Sequence, residues 1–162
     1  MRTPSCLAAL RASRAFGQGI VLASLATLLA GCGRVAVSDP APEPAVAAIC
    51  AGVMADLPEQ VLDQGRRTVE PGRYSAAWGK PAITLRCGVA APPGRTPISE
   101  CLEVNGVGWF GEEATGGMIF TTIGRPAFVE VSVPSAYPLG SGALVDLGAA
   151  VAAHDPVTTP CR

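Results

Sequence analysis

Few residues of this sequence have the types and spacing that acid–base or nucleophilic chemistry requires. His154 is the only histidine, and Glu112 and Glu113 are the only adjacent carboxylates. Neighbouring residues of a strand point to opposite faces, so these glutamates are not expected to share a proton. His154 should lie in the last turn of a helix, where a cationic imidazole is favoured, and no G-x-S-x-G motif accompanies it. The sequence therefore favours a protein that is not an enzyme, and a hydrolase that uses His154 is the weakest alternative.

The stretch from Gly106 to Gly111 matches G-x-G-x-x-G letter for letter. A dinucleotide site needs a strand before this motif and the N-terminus of a helix after it. Here Asn105-Gly106 predicts a tight turn, and the residues after Gly111 show no helical periodicity. We therefore expect no nucleotide and no other cofactor.

Cysteines supply the other reactive groups of the chain, which contains six of them. Cys6 and Cys32 belong to the N-terminal segment, and the others are Cys50, Cys87, Cys101 and Cys161. An even number in a small exported domain predicts two disulfides with three possible connectivities. We expect Cys87 to pair with Cys101 and close a short loop, and Cys50 to pair with Cys161 and tie the first helix to the C-terminal tail. A zinc site is the rival interpretation, but the sequence lacks C-x-x-C, so we expect no metal.

An apolar run that starts at Ile20 follows an N-terminal region whose only charged residues are arginines. A run of about ten residues is too short for a hydrocarbon core that needs about 20 helical residues, and is typical of a secretory signal peptide. It ends in Leu29-Ala30-Gly31-Cys32, which resembles the bacterial lipobox. We therefore expect a signal peptide over residues 1–31, cleavage between Gly31 and Cys32, and acyl chains such as palmitate on Cys32. Cleavage without lipid and an uncleaved membrane anchor are the alternatives.

The charge and composition after the signal peptide limit the partners of the chain. Residues 32–45 are rich in proline and poor in large apolar side chains, which predicts a lipid-anchored, extended tether. Residues 46–162 have the length of a single domain. From Cys32 onward, thirteen acidic and nine basic residues give a net charge of −4. This balance argues against nucleic acid as a partner and against a polybasic attachment to anionic lipid.

The spacing of apolar residues predicts the elements that would position these groups. Helical spacing predicts one helix from Val46 to Leu57, with a second turn after Pro58, and another from Gly142 to Ala153, capped by Ser141. Strict alternation predicts a strand over residues 82–89.

Two hairpins complete the predicted domain. Asn105-Gly106 predicts a type I′ turn that places Val104 opposite Val107 and Leu102 opposite Trp109. A second hairpin joins residues 118–123 to residues 127–133. The order of elements predicts an α+β domain with an antiparallel sheet of about four to five strands and an N-terminal and a C-terminal helix packed on one face.

Several of these segments resemble an actinobacterial family of exported lipoproteins known as domain of unknown function 3515. The similar segments are Trp78–Pro81, Ile83–Val89, Val104–Trp109, Thr121–Arg125 and Val129–Pro134. The resemblance covers most of residues 50–150. It implies a small cysteine-containing domain in the cell envelope and brings no catalytic residues with it.

Binding is the function class that remains. Trp78, Tyr74, Arg86 and Arg125 are possible binding residues, because aromatic rings supply rigid contact area and guanidinium groups supply forked donors. Alternatively, they are core aromatics and members of salt bridges. We expect a lipoprotein on the extracytoplasmic face of the cell membrane that serves as an accessory or interaction domain for an envelope protein. A small-molecule-binding lipoprotein, with a pocket lined by Trp78, Tyr74 and an arginine, is the first alternative.

Overall fold

The computed structural model describes residues 33–96 and 98–161, so the predicted signal peptide and Cys32 lie outside the described residues. The elements of the described chain, in order, are β1 (Val35–Ala36), α1 (Pro44–Ala55), β2 (Gln60–Val61), β3 (Gln64–Arg67), β4 (Val69–Glu70), β5 (Ser75–Trp78), β6 (Ile83–Cys87), β7 (Leu102–Val104), β8 (Val107–Ala114), β9 (Gly117–Thr122), β10 (Val129–Pro134) and α2 (Gly142–His154). No helix within these ranges is long and apolar enough to cross a bilayer.

The main sheet has eight strands in the order β2-β3-β5-β6-β10-β9-β8-β7. Each pair of neighbouring strands is antiparallel. The predicted α+β class is therefore confirmed, whereas the predicted four to five strands are too few. The prediction missed β2, β3 and β5. The four residues of β5 are all buried, and a strand covered on both faces shows no alternation of apolar and polar residues.

One face of the sheet, the inner face, carries the hydrophobic core together with both helices. The fully buried side chains of this core include Trp78, Leu85, Trp109, Val131, Val53, Leu144 and Leu147. α1 and α2 also pack on each other. Most of the apolar surface is therefore buried on this side, which leaves the opposite, outer face of the sheet without a helix.

The hairpin at Asn105-Gly106 has the predicted turn and the predicted register. Both residues have positive φ, +51° and +75°, as a type I′ turn requires. Leu102 lies opposite Trp109, and Val104 lies opposite Val107. The local sequence thus determines this hairpin.

The second predicted hairpin, the strand β6 and the C-terminal helix are also present. β10 pairs with both β9 and β6, and its Val129, Val131 and Val133 are buried on the inner face. α2 begins after Ser141, as predicted, but the Ser141 side chain makes no capping hydrogen bond.

Residues 60–67 form a hairpin, which begins where we predicted a second helical turn from Pro58 to Leu62. β2 and β3 are joined by Leu62 and Asp63, which both have positive φ. The Leu62 N–H donates to Asp146 Oδ2 of α2 at 2.8 Å. A leucine is disfavoured at positive φ, so the tertiary contact with α2, rather than local preference, fixes this turn.

Residues 33–43, which we expected to form part of an extended tether, lie against the domain instead. β1 pairs in parallel with β4. The Asp39 carboxylate accepts hydrogen bonds from the Arg73 N–H at 3.0 Å, the Tyr74 N–H at 2.9 Å and the Ser75 hydroxyl at 2.6 Å. These charge-assisted hydrogen bonds stabilise an ordered path for a proline-rich segment that buries little apolar surface.

The four cysteines form two disulfides, as predicted, but with different partners. Cys50 pairs with Cys87, and Cys101 pairs with Cys161. The predicted Cys87–Cys101 pair is wrong because β6 and β7 are four strand spacings apart in the sheet, about 19 Å, whereas a disulfide needs Cα atoms within about 7 Å. The predicted Cys50–Cys161 pair is wrong because Cys50 of α1 bonds to Cys87 of β6, whereas Cys161 bonds to Cys101 beside Gly108 of β8.

Candidate functional site

The outer face of the sheet is defined by the strand register, since residues directly opposite each other point to the same side. One row across the strands runs Ser75, Arg86, Glu130, Thr121, Phe110. The next row runs Arg67, Ala77, Thr84, Ser132, Ile119, Glu112. The face therefore combines a central polar strip with partly exposed apolar side chains at β8 and β9.

An ion pair occupies the middle of the outer face. Arg86 Nε and Nη2 both approach Glu130 Oε1, at 2.9 and 2.8 Å. Their side chains are 32% and 19% exposed. Both charges are partly removed from water, and two guanidinium nitrogens converge on one carboxylate oxygen, which orients the Arg86 side chain along the outer face. Of the four predicted binding residues, only Arg86 lies on this face.

Two segments border the outer face. On the β5 side, Asp39 bonds to Ser75, which explains why Ser75 is buried although it faces outward. On the β8 side, the loop of residues 88–96 approaches closely, and a Cβ at Gly94 would collide with the Glu112 carboxylate. The strip between the two borders contains Arg86 and Glu130.

Trp78 and Tyr74 belong to the hydrophobic core. The Trp78 ring is fully buried, its Nε1–H donates to the Pro58 carbonyl at 3.0 Å, and the Arg66 guanidinium lies 5.7 Å from the ring centroid. Tyr74 is buried and has Arg73 over its ring at 5.1 Å. Neither ring shares a partner with Arg86 or Arg125, so the predicted binding residues do not converge.

Arg125 is buried and joins three parts of the chain. Its guanidinium donates to the backbone carbonyl of Asp155 and, at 2.8 Å, to that of Gly106. Asp155, at the end of α2, accepts from the Ala127 N–H at 3.2 Å. Burial raises the pKa of the Asp155 carboxyl, and the Ala127 hydrogen bond and the Arg125 charge offset this only in part. The cluster connects the β9–β10 loop, the β7–β8 turn and α2.

The groups that could carry acid–base chemistry fall in two places, since His154 and Asp56 pair at the ends of α2 and α1, whereas Glu112 and Glu113 lie in β8. His154 Nε2 is 2.6 Å from Asp56 Oδ2, while its Nδ1 faces Gly52, where even a Cβ would not fit. In the strand β8, Glu112 lies opposite Ile119 and Glu113 lies opposite Met118, on opposite faces. The G-x-G-x-x-G stretch runs from the hairpin turn into β8 and opens no helix.

Four surface concavities have volumes between about 160 and 460 Å³. The largest of these four is lined by Tyr137, Met118 and the β8–β9 turn. None of the four is lined by Trp78, Tyr74, Arg86 or Arg125. Across residues 33–96 and 98–161, no group of three or more His, Cys, Asp or Glu side chains could hold a metal ion.

Sequence reasoning missed two residues that organise this region, Asp39 and Asp155. Asp39 stands in a proline-rich stretch that suggested no structure, and Asp155 follows the helix that ends at His154. A signal for Asp155 was available in the sequence. Asp155-Pro156 predicts the end of a helix, and Arg125-Pro126 predicts the turn of the preceding hairpin. Nothing in the local sequence indicates that Asp39 receives three hydrogen bonds.

Comparison with known proteins identifies the family. No curated protein and no solved structure matches the chain. A family model described as "Protein of unknown function (DUF3515)" matches residues 16–159. This match covers most of the chain and confirms the resemblance to domain of unknown function 3515. The chain therefore belongs to the DUF3515 family of proteins of unknown function.

Proposed function

We propose that the chain is an envelope lipoprotein, acylated at Cys32 and held on the extracytoplasmic face of the cell membrane, with a non-enzymatic domain that binds a protein partner. The lipobox-like sequence Leu29–Cys32 supports the anchor. Two disulfides within the domain support an oxidising compartment outside the cytosol.

The outer face of the sheet is the observation that supports partner binding. It is a broad surface without a helix, it presents Phe110 and Ile119 beside the oriented Arg86–Glu130 pair, and the hydrogen bonds of Asp39 fix the segment at its β5 border. Aromatic side chains and arginine are enriched where proteins bind one another. Among the described residues, the His154–Asp56 pair has no hydrogen bond to a hydroxyl side chain, which supports a role without catalysis.

Mass spectrometry of the N-terminal peptide from membrane-purified protein tests the anchor. We expect a mature chain that begins at Cys32 with a diacylglyceryl thioether, and a Cys32→Ala variant that is neither acylated nor cleaved at Gly31. A native mature chain with an unmodified Cys32 thiol would contradict the proposal.

Site-specific photocrosslinking in intact cells tests the binding surface. A photoreactive residue at Ser132, in the middle of the outer face, should give a discrete crosslinked species. The same residue at Ala152, exposed on α2, is the matched control and should not give that species. Identical crosslinking from both positions, or none from Ser132, would refute binding by the outer face.

A further inference from the structure

A cluster of basic residues lies where the described chain begins. A concavity of about 380 Å³ is lined by Gly33, Arg34, Arg66, Arg67 and Thr68. β1 and the end of β3 are held together here, since the Val35 N–H donates to the Thr68 carbonyl at 2.9 Å and Arg67 Nη2 donates to the Gly33 carbonyl at 2.7 Å. We call Arg34, Arg66 and Arg67 the arginine edge.

The arginine edge carries positive charge that the described chain does not neutralise. Arg34 pairs with Glu70. Arg66 and Arg67 donate instead to backbone carbonyls, those of Leu57 at 3.2 Å and Gly79 at 2.8 Å, and neither takes part in an ion pair within residues 33–96 and 98–161. Lys80, the only lysine, is exposed and directly follows Gly79.

The charge of the whole chain conceals this local excess. The net charge of −4 after residue 31 argued against attachment to anionic lipid, but this end of the sheet holds four basic residues, Arg34, Arg66, Arg67 and Lys80, against two acidic neighbours, Glu59 and Glu70, a local balance of 4 − 2 = +2. Attraction between exposed charges extends over only about 10 Å at moderate ionic strength, so the local arrangement matters more than the total.

The position of Gly33 identifies the ligand that would meet the arginine edge. Its carbonyl accepts a hydrogen bond from Arg67, and it directly follows Cys32 in the sequence. If Cys32 carries the proposed acyl chains, the arginine edge lies beside the phospholipid headgroups. Guanidinium groups match phosphate oxygens with forked, charge-assisted donors, and cationic residues next to a membrane anchor are attracted to anionic lipids.

We propose that the arginine edge binds phosphate groups of anionic phospholipids in the membrane that holds the anchor, and so fixes the orientation of the domain on that membrane. This inference rests on the proposed acylation of Cys32. It names the surface of the domain that faces the lipid, which the anchor alone does not determine.

Arginine labelling on vesicles tests the proposal. The mature protein, purified from membranes, is reconstituted into vesicles of phosphatidylcholine alone or of phosphatidylcholine with phosphatidylglycerol, treated with phenylglyoxal and digested. We expect several-fold slower labelling of Arg34 and Arg67 on the vesicles with phosphatidylglycerol, and a return to the faster rate at high salt. Arg95, exposed in the loop of residues 88–96, is the internal control and should react equally on both.

Variants and a soluble anion separate the possible sources of protection. A chain with Arg66→Gln and Arg67→Gln should lose the protection of Arg34, whereas Arg95→Gln should keep it.

Equal labelling of the native protein on the two kinds of vesicle would overturn the proposal, even if the double variant fails to fold. Protection by inorganic phosphate on phosphatidylcholine vesicles would overturn it too, because it would indicate a site for soluble anions. The N-terminal peptide of the same digest shows whether Cys32 is acylated, so failure of the anchor and failure of the headgroup contact are observed separately.

Discussion

Asp155 shows how one buried side chain can make stability depend on pH. Burial raises the pKa of its carboxyl above the ordinary value of 3.8. The folded state therefore holds the proton more tightly than the unfolded chain does, and the free energy of unfolding falls as the pH rises above 3.8. The fall ends once the folded state has also lost the proton.

We expect Asp155→Asn to remove this part of the pH dependence, because the amide oxygen can still accept from the Ala127 N–H but carries no titrating charge. Urea unfolding at successive pH values should show the native protein losing stability relative to the variant as the pH rises. Asp63→Asn, in the exposed β2–β3 turn, is the matched control and should retain the native slope. Identical slopes in native protein and Asp155→Asn would contradict the prediction.

The Arg86–Glu130 pair should contribute more to stability than a solvent-exposed pair of the same chemistry. We expect a double-mutant cycle with Arg86→Gln and Glu130→Gln to give a coupling free energy of about 1 kcal/mol, because partial burial reduces screening by water. The Arg34–Glu70 pair, with side chains 64% and 62% exposed, serves as the comparison and should give a value nearer zero. Equal coupling in the two cycles would mean that burial on the outer face has no electrostatic effect.

At the scale of single elements, the two tight hairpin turns arise in different ways. Asn105-Gly106 adopts its turn from residue preference, since both residue types tolerate positive φ. Leu62-Asp63 adopts a turn of the same kind only because α2 supplies the Asp146 carboxylate for the Leu62 N–H. The first turn is therefore readable from sequence, and the second is not.

Gly106→Ala should lower the free energy of unfolding by about 1 kcal/mol, because alanine is strained at a φ of +75°. Gly65→Ala in β3 is a close control, since a Cβ meets nothing within 4 Å at either position and Gly65 does not have positive φ. We expect it to be neutral or slightly stabilising in the same urea titration. A loss at Gly65 equal to that at Gly106 would refute backbone strain as the cause.

At the scale of the whole molecule, the disulfides join elements that are far apart in sequence. Cys50–Cys87 fixes α1 to the inner face of β6, and Cys101–Cys161 fixes the C-terminal tail beside Gly108 of β8. Closing loops of 37 and 60 residues should each stabilise the fold by roughly 4 kcal/mol on the chain-entropy model.

Peptide mapping under non-reducing conditions should recover these two pairs. Replacing Cys50 and Cys87 by alanine should destabilise the domain more than replacing Cys101 and Cys161, because the first pair is fully buried and its loss also removes core contacts. Recovery of a Cys87–Cys101 peptide, or a smaller loss for the buried pair, would contradict this assignment.

The sequence by itself determined the features that depend on neighbouring residues. Alternation over residues 82–89, the Asn105-Gly106 turn with its register, and the apolar spacing of α2 each reflect a local preference repeated along a short stretch. The order of the elements predicted the α+β class. The family was identified by the resemblance of several segments, two of which overlap the strand over residues 82–89 and the Asn105-Gly106 turn. The proposed anchor also depends on a local motif, Leu29–Cys32.

Only the tertiary structure decided the features that depend on distant residues. The strand order separated Cys87 from Cys101 by four strand spacings, and the fixed path of residues 33–43 followed from hydrogen bonds between Asp39 and residues more than thirty positions away. The same order placed Arg86 opposite Glu130 and left Trp78 in the core. Local periodicity indicates which side of a strand faces the core. The contacts of that strand depend on which strands lie beside it, and the strand order is selected by the apolar surface buried over the whole domain.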